Sequence, residues 1–481
     1  MNNNIKNDNN NDLNSLPNKK MPQEVKEMTE GISEMEQKTI EVGKDMYDIG
    51  KAGVKTTVAF GKEVAKIVSY PITKRRSIAD FFVKSKRGLI TGAADNDPAG
   101  IVTCIQTGAT AGFNLLWLVP LSWPLLVVVE GMSAKIGIVT KKGVNQNIIE
   151  HFGLPWAYLA MIIVFICNIA TISADIAAMA DIFSIITNIP VFWFILLLGA
   201  LFLVVMIKNK YDVISRYLFV LTPFLLFYVL SALMFDVPWG EALKATFVPA
   251  IEALNANFYM IALAFLGTTL TPFLIFWEAN EQIEEKQEAR HLAKEKMSVV
   301  TGMFFTIIIS FFIVITGAVA FSGAGGAMIN SAKEAALALE PLGKWAFLFF
   351  SLGILGSGFI SVPVLAASTG YVVSETLNWK AGLSKEFNKA KKFYWVIISA
   401  IVIGGLIALL GLNPIKMLVY SQVLNGILMP ILVILLLRLC NNKKVMGEYT
   451  NHWWTNVFGY LTVVILILFV VLMFINWNTT F

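Results

Sequence analysis

From residue 88 onward, long apolar runs alternate with short polar connectors. Eleven runs stand out, at roughly 88–111, 114–138, 155–185, 190–208, 212–234, 257–279, 298–322, 343–372, 392–411, 415–439 and 457–476. A helix needs about 20 apolar residues to cross a bilayer, so each run predicts a transmembrane helix. Two runs are broken. The first carries Asp95-Asn96-Asp97-Pro98-Ala99-Gly100, the sixth Gly267-Thr268-Thr269-Leu270-Thr271-Pro272. A Pro and Gly cluster at membrane depth frees backbone carbonyls, which is tolerated only where they line a cavity or are buried in protein. Carboxylates at that depth point to function, and interrupted segments in matching positions of two halves mark a transporter's binding site.

The region before the first run has a different pattern. Residues 1–20 are rich in Asn and Lys and predict disorder. Residues 22–75 are charged, with Val54, Val58, Val64, Ile67 and Val68 spaced as an amphipathic helix that ends at Pro71. Lys74, Arg75, Arg76, Lys84, Lys86 and Arg87 follow; they fit either simple topological charge bias or contact with anionic lipid. Residues 1–85 thus form a polar tail and residues 86–481 the membrane domain. The tail does not read as a secretory leader, so the first span is expected to direct its own insertion.

Composition agrees with the pattern. The chain is 56% hydrophobic and 15% charged, outside the usual range of a large soluble enzyme. A net charge of +5 is no nucleic-acid signature, because most of the excess sits in short loops. Alternate loops hold Lys135, Lys141 and Lys142, then Lys208 and Lys210, then Lys286, Arg290, Lys294 and Lys296, then Lys380 to Lys392, then Lys443 and Lys444. The opposite loops hold only Lys244, Lys333, Lys344 and Lys416. The positive-inside rule places the N-terminus in the cytoplasm and, after eleven spans, Phe481 outside. Cys104, Cys167 and Cys440 lie far apart in or beside apolar runs and read as packing thiols, without metal or disulfide spacing. The Asn, Lys and Ile bias suggests an AT-rich bacterial genome and hence a bacterial plasma membrane.

Six stretches in sequence order now carry a resemblance. They are Asp97-Pro98-Ala99-Gly100 through Gln106, Gly108, Gly112 and Leu115-Leu116-Trp117; Ser133 to Thr140; Asn168-Ile169-Ala170 with Asp175-Ile176-Ala177; Gly267 to Pro272; Ser421-Gln422-Val423 with Met429-Pro430; and Met446 to Asn451. Over residues 85–476 the chain resembles the Nramp divalent-metal transporters. The resemblance implies an all-α polytopic membrane protein of the LeuT-type fold. Spans one to five and six to ten would be inverted repeats, helices one and six broken, and metal bound between the breaks. It keeps the family's metal-binding aspartate as Asp97 and its third-span aspartate as Asp175. It departs elsewhere. The metal-binding Asn is Gly100, the metal-binding Met is Thr271, and the small residue a turn earlier is Thr268. The two histidines linked to proton movement fall at Phe273 and Glu278, and the third-span Glu is Ala178. These departures resemble the Nramp-related magnesium transporter branch.

The same residues can be read as chemistry. A thioether selects soft transition metals, and this site offers none. Its donors are all oxygen: Asp97 and Asp95, the hydroxyls of Thr268 and Thr271, and freed carbonyls near Ala94 and Thr268. Such a set suits Mg²⁺, which keeps several waters, and Mn²⁺ also accepts it. Loss of the Asn and Met side chains is expected to widen the cavity.

Alternatives stand beside several residues. Asp97 before Pro98 is also a good helix N-cap. Asp95 is a ligand, a gate or a vestibule charge, and Asn96 orients either carboxylate. Thr268 and Thr271, three apart, share a helix face, or bond back to their own helix. Glu130 lines a vestibule or pairs with a lysine. Asp175 contacts the pathway or pairs with Arg216 or a lysine.

His151, His291 and His452 all lie in loops or at span ends, so no histidine relays protons through the core. Uncoupled or weakly coupled uptake is then expected. A divalent ion entering through 100 mV gains about 4.6 kcal/mol, enough for roughly a thousandfold accumulation.

The first reading is therefore a monomeric Mg²⁺ importer working by alternating access, driven by membrane potential, that also passes Mn²⁺. Its partners are the ion and the bilayer, and it needs no cofactor. The alternative is a proton-coupled Mn²⁺/Fe²⁺ importer of the ordinary Nramp type. A Na⁺-coupled organic-solute transporter on the same fold is a third. An intramembrane enzyme, the fourth reading, is disfavoured, as the sequence shows no His/Glu zinc pair, catalytic aspartate motif or nucleophile elbow.

Overall fold

The computed structural model describes residues 92, 95–208, 225–249, 256–322 and 328–476. The expected amphipathic helix of the tail, Ala94 and Arg216 lie outside these residues.

The long apolar runs become helices, named here in chain order. They are α1 (Pro98–Ala111), α2 (Leu118–Thr140), α3 (Val144–Phe152), α4 (Leu154–Thr187), α5 (Val191–Lys208), α6 (Leu226–Met234) and α7 (Trp239–Phe247). Then come α8 (Ala256–Thr269), α9 (Pro272–Glu284), α10 (Leu292–Ala320), α11 (Ala346–Thr376), α12 (Lys391–Ala408), α13 (Pro414–Cys440) and α14 (Trp453–Ile475). Among the described residues, nine stretches are long and apolar enough to span a bilayer, α8 and α9 counting as one. The expected first and fifth spans are described only in part, through α1 and α6.

Burial sorts the helices into inner and outer. The α8–α9 stretch has 94% of its most apolar window inside the protein, whereas α5 has 22% and α14 has 33%. The broken sixth span is thus the axis of the bundle, and α5 and α14 face lipid. Phe192, Trp193, Leu197, Val464 and Leu468 on those two helices are exposed. Trp453 and Trp454 stack at the start of α14, ring centroids 3.8 Å apart, a placement that suits the membrane–water boundary.

Glycines let the inner helices approach to backbone contact, the usual device where lipid gives helices no hydrophobic reason to associate. Gly108 of α1 lies against the backbone of Val314, Gly317 and Ala318 in α10, and Gly317 lies against Ile105 in return. Gly137 of α2 meets the backbone of Ala279 in α9. Gly267 of α8 meets Gln422 and Gly426 of α13, and Gly426 meets Leu263. The first broken span thus packs on the seventh and the sixth on the second, the exchange that an inverted repeat of spans 1–5 and 6–10 requires.

The lysine-rich end is fastened by two carboxylates. Glu375 of α11 accepts from the amides of Asn145 (3.0 Å) and Gln146 (3.2 Å) at the start of α3, and from Asn280 Nδ2 (2.7 Å) on α9. Glu284, the last residue of α9, accepts from Tyr371 OH (2.7 Å), the Leu383 amide (2.8 Å), and the amide and hydroxyl of Ser384.

Candidate metal-binding site

The two breaks are built alike. Asp97 is extended (φ −68°, ψ 171°) and Pro98 is the first residue of α1. Thr271 is extended (φ −87°, ψ 137°) and Pro272 is the first residue of α9. Proline fixes φ for a helix's first turn and offers no N–H. The residue before it is pushed into extended geometry, so each Xaa-Pro ends one half-helix and starts another. Asp97 Oδ1 accepts from the Gly100 amide as an N-cap, while its Oδ2 has no hydrogen-bond partner. Capping uses one oxygen and leaves the other free.

Gly100 marks where the breaks meet. A Cβ placed on it would stand 2.9 Å from Thr268 Oγ1, 3.0 Å from Asp97 Oδ1 and 3.1 Å from the Asp95 carbonyl oxygen. Three oxygens from two broken helices converge on one glycine. A side chain at this position would have to displace one of these oxygens.

Asp95, Asp97, Thr268 and Thr271 are all buried. Both Asp95 carboxylate oxygens and the hydroxyls of Thr268 and Thr271 lack hydrogen-bond partners. Buried polar atoms are nearly always satisfied, so a cluster of unsatisfied oxygens fits a site that a hard cation or its waters complete. The C-terminal end of α8 adds its partial negative charge beside them. Among the described residues, no group of three His, Cys, Asp or Glu gathers as a resident metal centre; hydroxyls and carbonyls must complete any coordination.

Several expectations are corrected. Thr268 and Thr271 do not share a helix face, because α8 ends at Thr269 and Thr271 is extended. Back-bonding falls to Thr269, whose hydroxyl donates to the carbonyls of Phe265 (3.1 Å) and Leu266 (3.2 Å). Asn96 orients neither carboxylate. Its Nδ2 donates to the Gly92 carbonyl (3.1 Å) and its Oδ1 accepts from Ser310 of α10 (3.3 Å). Phe273 is a core residue of α9, buried in the apolar cluster that includes Trp277 and Leu365, and its carbonyl accepts from Ser368 (2.9 Å).

Asp175 of α4 accepts from Ser361 of α11 (2.7 Å) through Oδ2, and its Oδ1 has no hydrogen-bond partner. Among the described residues it pairs with no lysine. Gly358, one turn from Ser361, touches Pro98 and Met179, which brings Asp175 near the first break. Glu130 is fully buried in mid-α2, with neither carboxylate oxygen hydrogen-bonded; its expected lysine partner is likewise absent among the described residues. Glu278 accepts from Gln282 one turn on (2.9 Å), farther along α9 than the break. Ser361, Ser310, Glu284 and Glu375 escape a reading of the sequence, since each acts on a partner distant along the chain. A carboxylate near the end of an apolar span is the one signal that Glu284 and Glu375 give.

Comparison with known proteins gives a consistent picture. The chain is similar to the divalent metal cation transporter MntH of Caldanaerobacter subterraneus subsp. tengcongensis, at 26% identity over 383 residues, 77% of this chain and 88% of the relative. It is 28% identical over 383 residues to the same-named protein of Pectobacterium carotovorum, with 77% and 89% covered. Its fold matches the crystal structure of an Eremococcus coleocola manganese transporter in complex with an aromatic bis-isothiourea substituted compound, with TM-score 0.66 and 18% identity over 83% of this chain and 87% of the other. MhsT in complex with L-phenylalanine matches with TM-score 0.53 and 15% identity, over 81% and 98%. These likenesses establish the all-helical LeuT-type fold, and the relatives are transporters rather than enzymes. Residues 88–476 match the family described as natural resistance-associated macrophage protein-like, and the chain belongs to that family, Nramp.

Proposed function

We propose that the protein carries divalent metal cations across the membrane by alternating access, binding them between the two helix breaks. The observation that carries this reading is the convergence of Thr268 Oγ1, Asp97 Oδ1 and the Asp95 carbonyl on Gly100, beside carboxylate and hydroxyl oxygens that lack protein partners. Asp97 is the principal ligand, with Thr268, Thr271 and Asp95 completing a hard, all-oxygen shell. Glu130 and Asp175, each with unpartnered oxygen, are the pathway carboxylates and the places for any accompanying proton. The lysine distribution supports a plasma-membrane orientation with the N-terminus in the cytoplasm, and one copy of the chain holds the whole cradle.

For the cargo, the relatives favour Mn²⁺ uptake of the ordinary Nramp type over a Mg²⁺ importer. Mn²⁺ accepts an oxygen shell as Mg²⁺ does, so the donor set agrees with that preference. The Mg²⁺ reading rests on the all-oxygen donor set, with Gly100 and Thr271 where the family has Asn and Met, and on Phe273 and Glu278 where it has histidines.

The test uses purified protein in liposomes loaded with a metal-sensitive and a pH-sensitive dye, under an inside-negative potential. Mn²⁺ entry with acidification that excess Mg²⁺ does not suppress is the result expected of the family reading. Mg²⁺ entry without acidification would establish the uncoupled Mg²⁺ importer. Metal entry that survives Asp97→Asn would remove the cradle from the path.

A further inference from the structure

A cavity of about 550 Å³ lies between α2, the first turns of α10 and the start of α14, with none of the cradle residues Asp95, Asp97, Thr268 and Thr271 in its lining. Its charge is arranged by depth. Lys135, Lys296 and His452 line its part nearer the bundle end that carries Lys141 and Lys142, together with Ile138, Leu292 and Ala293. Val127, Val128, Val299 and Phe458 wall its deeper part. Val127 and Lys135 are eight residues apart on one helix, so the lining runs about 12 Å along α2 from its basic to its apolar part. All three helices repeat this order, with Lys296 before Val299 on α10 and His452 before Phe458 on α14.

Among the described residues, neither Lys135 nor Lys296 pairs with a carboxylate. Lys135 Nζ donates to Asn451 Oδ1 (2.6 Å), which leaves donor capacity on its ammonium. Buried Glu295 and exposed Glu448 also border the cavity, so its charge is mixed and suits a singly charged anion bearing hydroxyls rather than a polyanion. Gly131 faces open space: nothing lies within 4 Å of a Cβ built on it.

We propose that this cavity binds one membrane phospholipid, its phosphodiester on Lys135 and Lys296 and the upper part of an acyl chain along Val127, Val128 and Phe458. Basic side chains at the boundary of an apolar wall are the pattern that holds a phospholipid headgroup, and the volume is that of a built small-molecule site. Trp454, also on the cavity wall, sits at the depth where tryptophan meets headgroups.

The experiment is native mass spectrometry of the full chain, stripped of lipid in detergent and titrated with phosphatidylglycerol. One phosphatidylglycerol should be retained, at least about tenfold more tightly than diacylglycerol, which lacks the phosphate. Lys135→Gln with Lys296→Gln should erase that preference. Gly131→Phe, which fills the open space, should abolish retention while leaving the melting temperature near that of the parent. Retention equal for both lipids, or unchanged in both variants, would overturn the proposal. Displacement by excess inorganic phosphate would instead mark a free-anion site. A photoreactive group at position 128 that crosslinks to residues 1–81 rather than to lipid would make the chain's own tail the occupant.

Discussion

At the residue scale, Asp97 does two things with two oxygens, and a substitution can separate them. Asn caps a helix as well as Asp does but carries no charge. Asp97→Asn should therefore keep the melting temperature and lower metal uptake by about a hundredfold or more. Asp97→Ala should lose uptake and also about 1 kcal/mol of stability with the cap. Equal uptake in parent and Asn variant would reduce Asp97 to a cap. The threonines separate in the same way. Thr268→Val and Thr271→Val should each weaken uptake, while Thr269→Val, whose hydroxyl is satisfied within α8, should not. Asp97 and Thr271 stand out in the sequence because each precedes a proline at membrane depth, and Thr268 because it lies about a turn before the second break. Ser361 and Ser310 were not legible. They meet Asp175 and Asn96 across 186 and 214 positions, and a serine in an apolar helix gives no sign of such a partner.

At the element scale, the cradle depends on how closely α1, α8 and α9 are held by α10, α13 and α2. Gly108→Val and Gly267→Val push a side chain into a neighbouring backbone, which cannot yield as a flexible side chain can. Each should cost about 1–3 kcal/mol, seen as a lower melting temperature with uptake lost alongside. Gly405→Ala, which meets nothing within 4 Å, should leave both intact. A Gly108 variant with parental stability would show that α1 and α10 tolerate separation. The spans themselves could be read from apolar length. Their contacts could not, since a glycine that admits a neighbour and one that faces open space look the same in sequence. The placing of Thr268 and Thr271 on one face failed for a related reason: helical spacing holds only while the helix continues, and α8 stops at Thr269, three residues before Pro272 starts the next helix.

At the scale of the whole molecule, net charge and its distribution were legible because loop lysines act collectively. The cargo is not legible in the same way. Oxygen donors state hardness, which Mg²⁺ and Mn²⁺ share, and only the likeness to named relatives tips the choice. Any divalent cation carried without a compensating ion moves two charges per cycle, so an inside-negative potential of 100 mV favours entry by about 4.6 kcal/mol. That driving force acts on the ion and not on the protein's own rearrangement.

The fastening of α9 should set the pace of the proposed rearrangement. Its Asn280 and Glu284 are bound through carboxylates to α11, and through them to the start of α3 and the segment at 383–384. Hydrogen bonds to charged groups are each worth about 1.5–3 kcal/mol, and swinging this half-helix breaks several together. The barrier should then be mainly enthalpic, and turnover should fall steeply on cooling. Initial uptake rates between about 10 and 40 °C should give a steep Arrhenius slope that Glu284→Gln makes shallower; equal slopes would place the moving part elsewhere. The cell holding such a protein would feel metal starvation in the cold before the metal around it ran short.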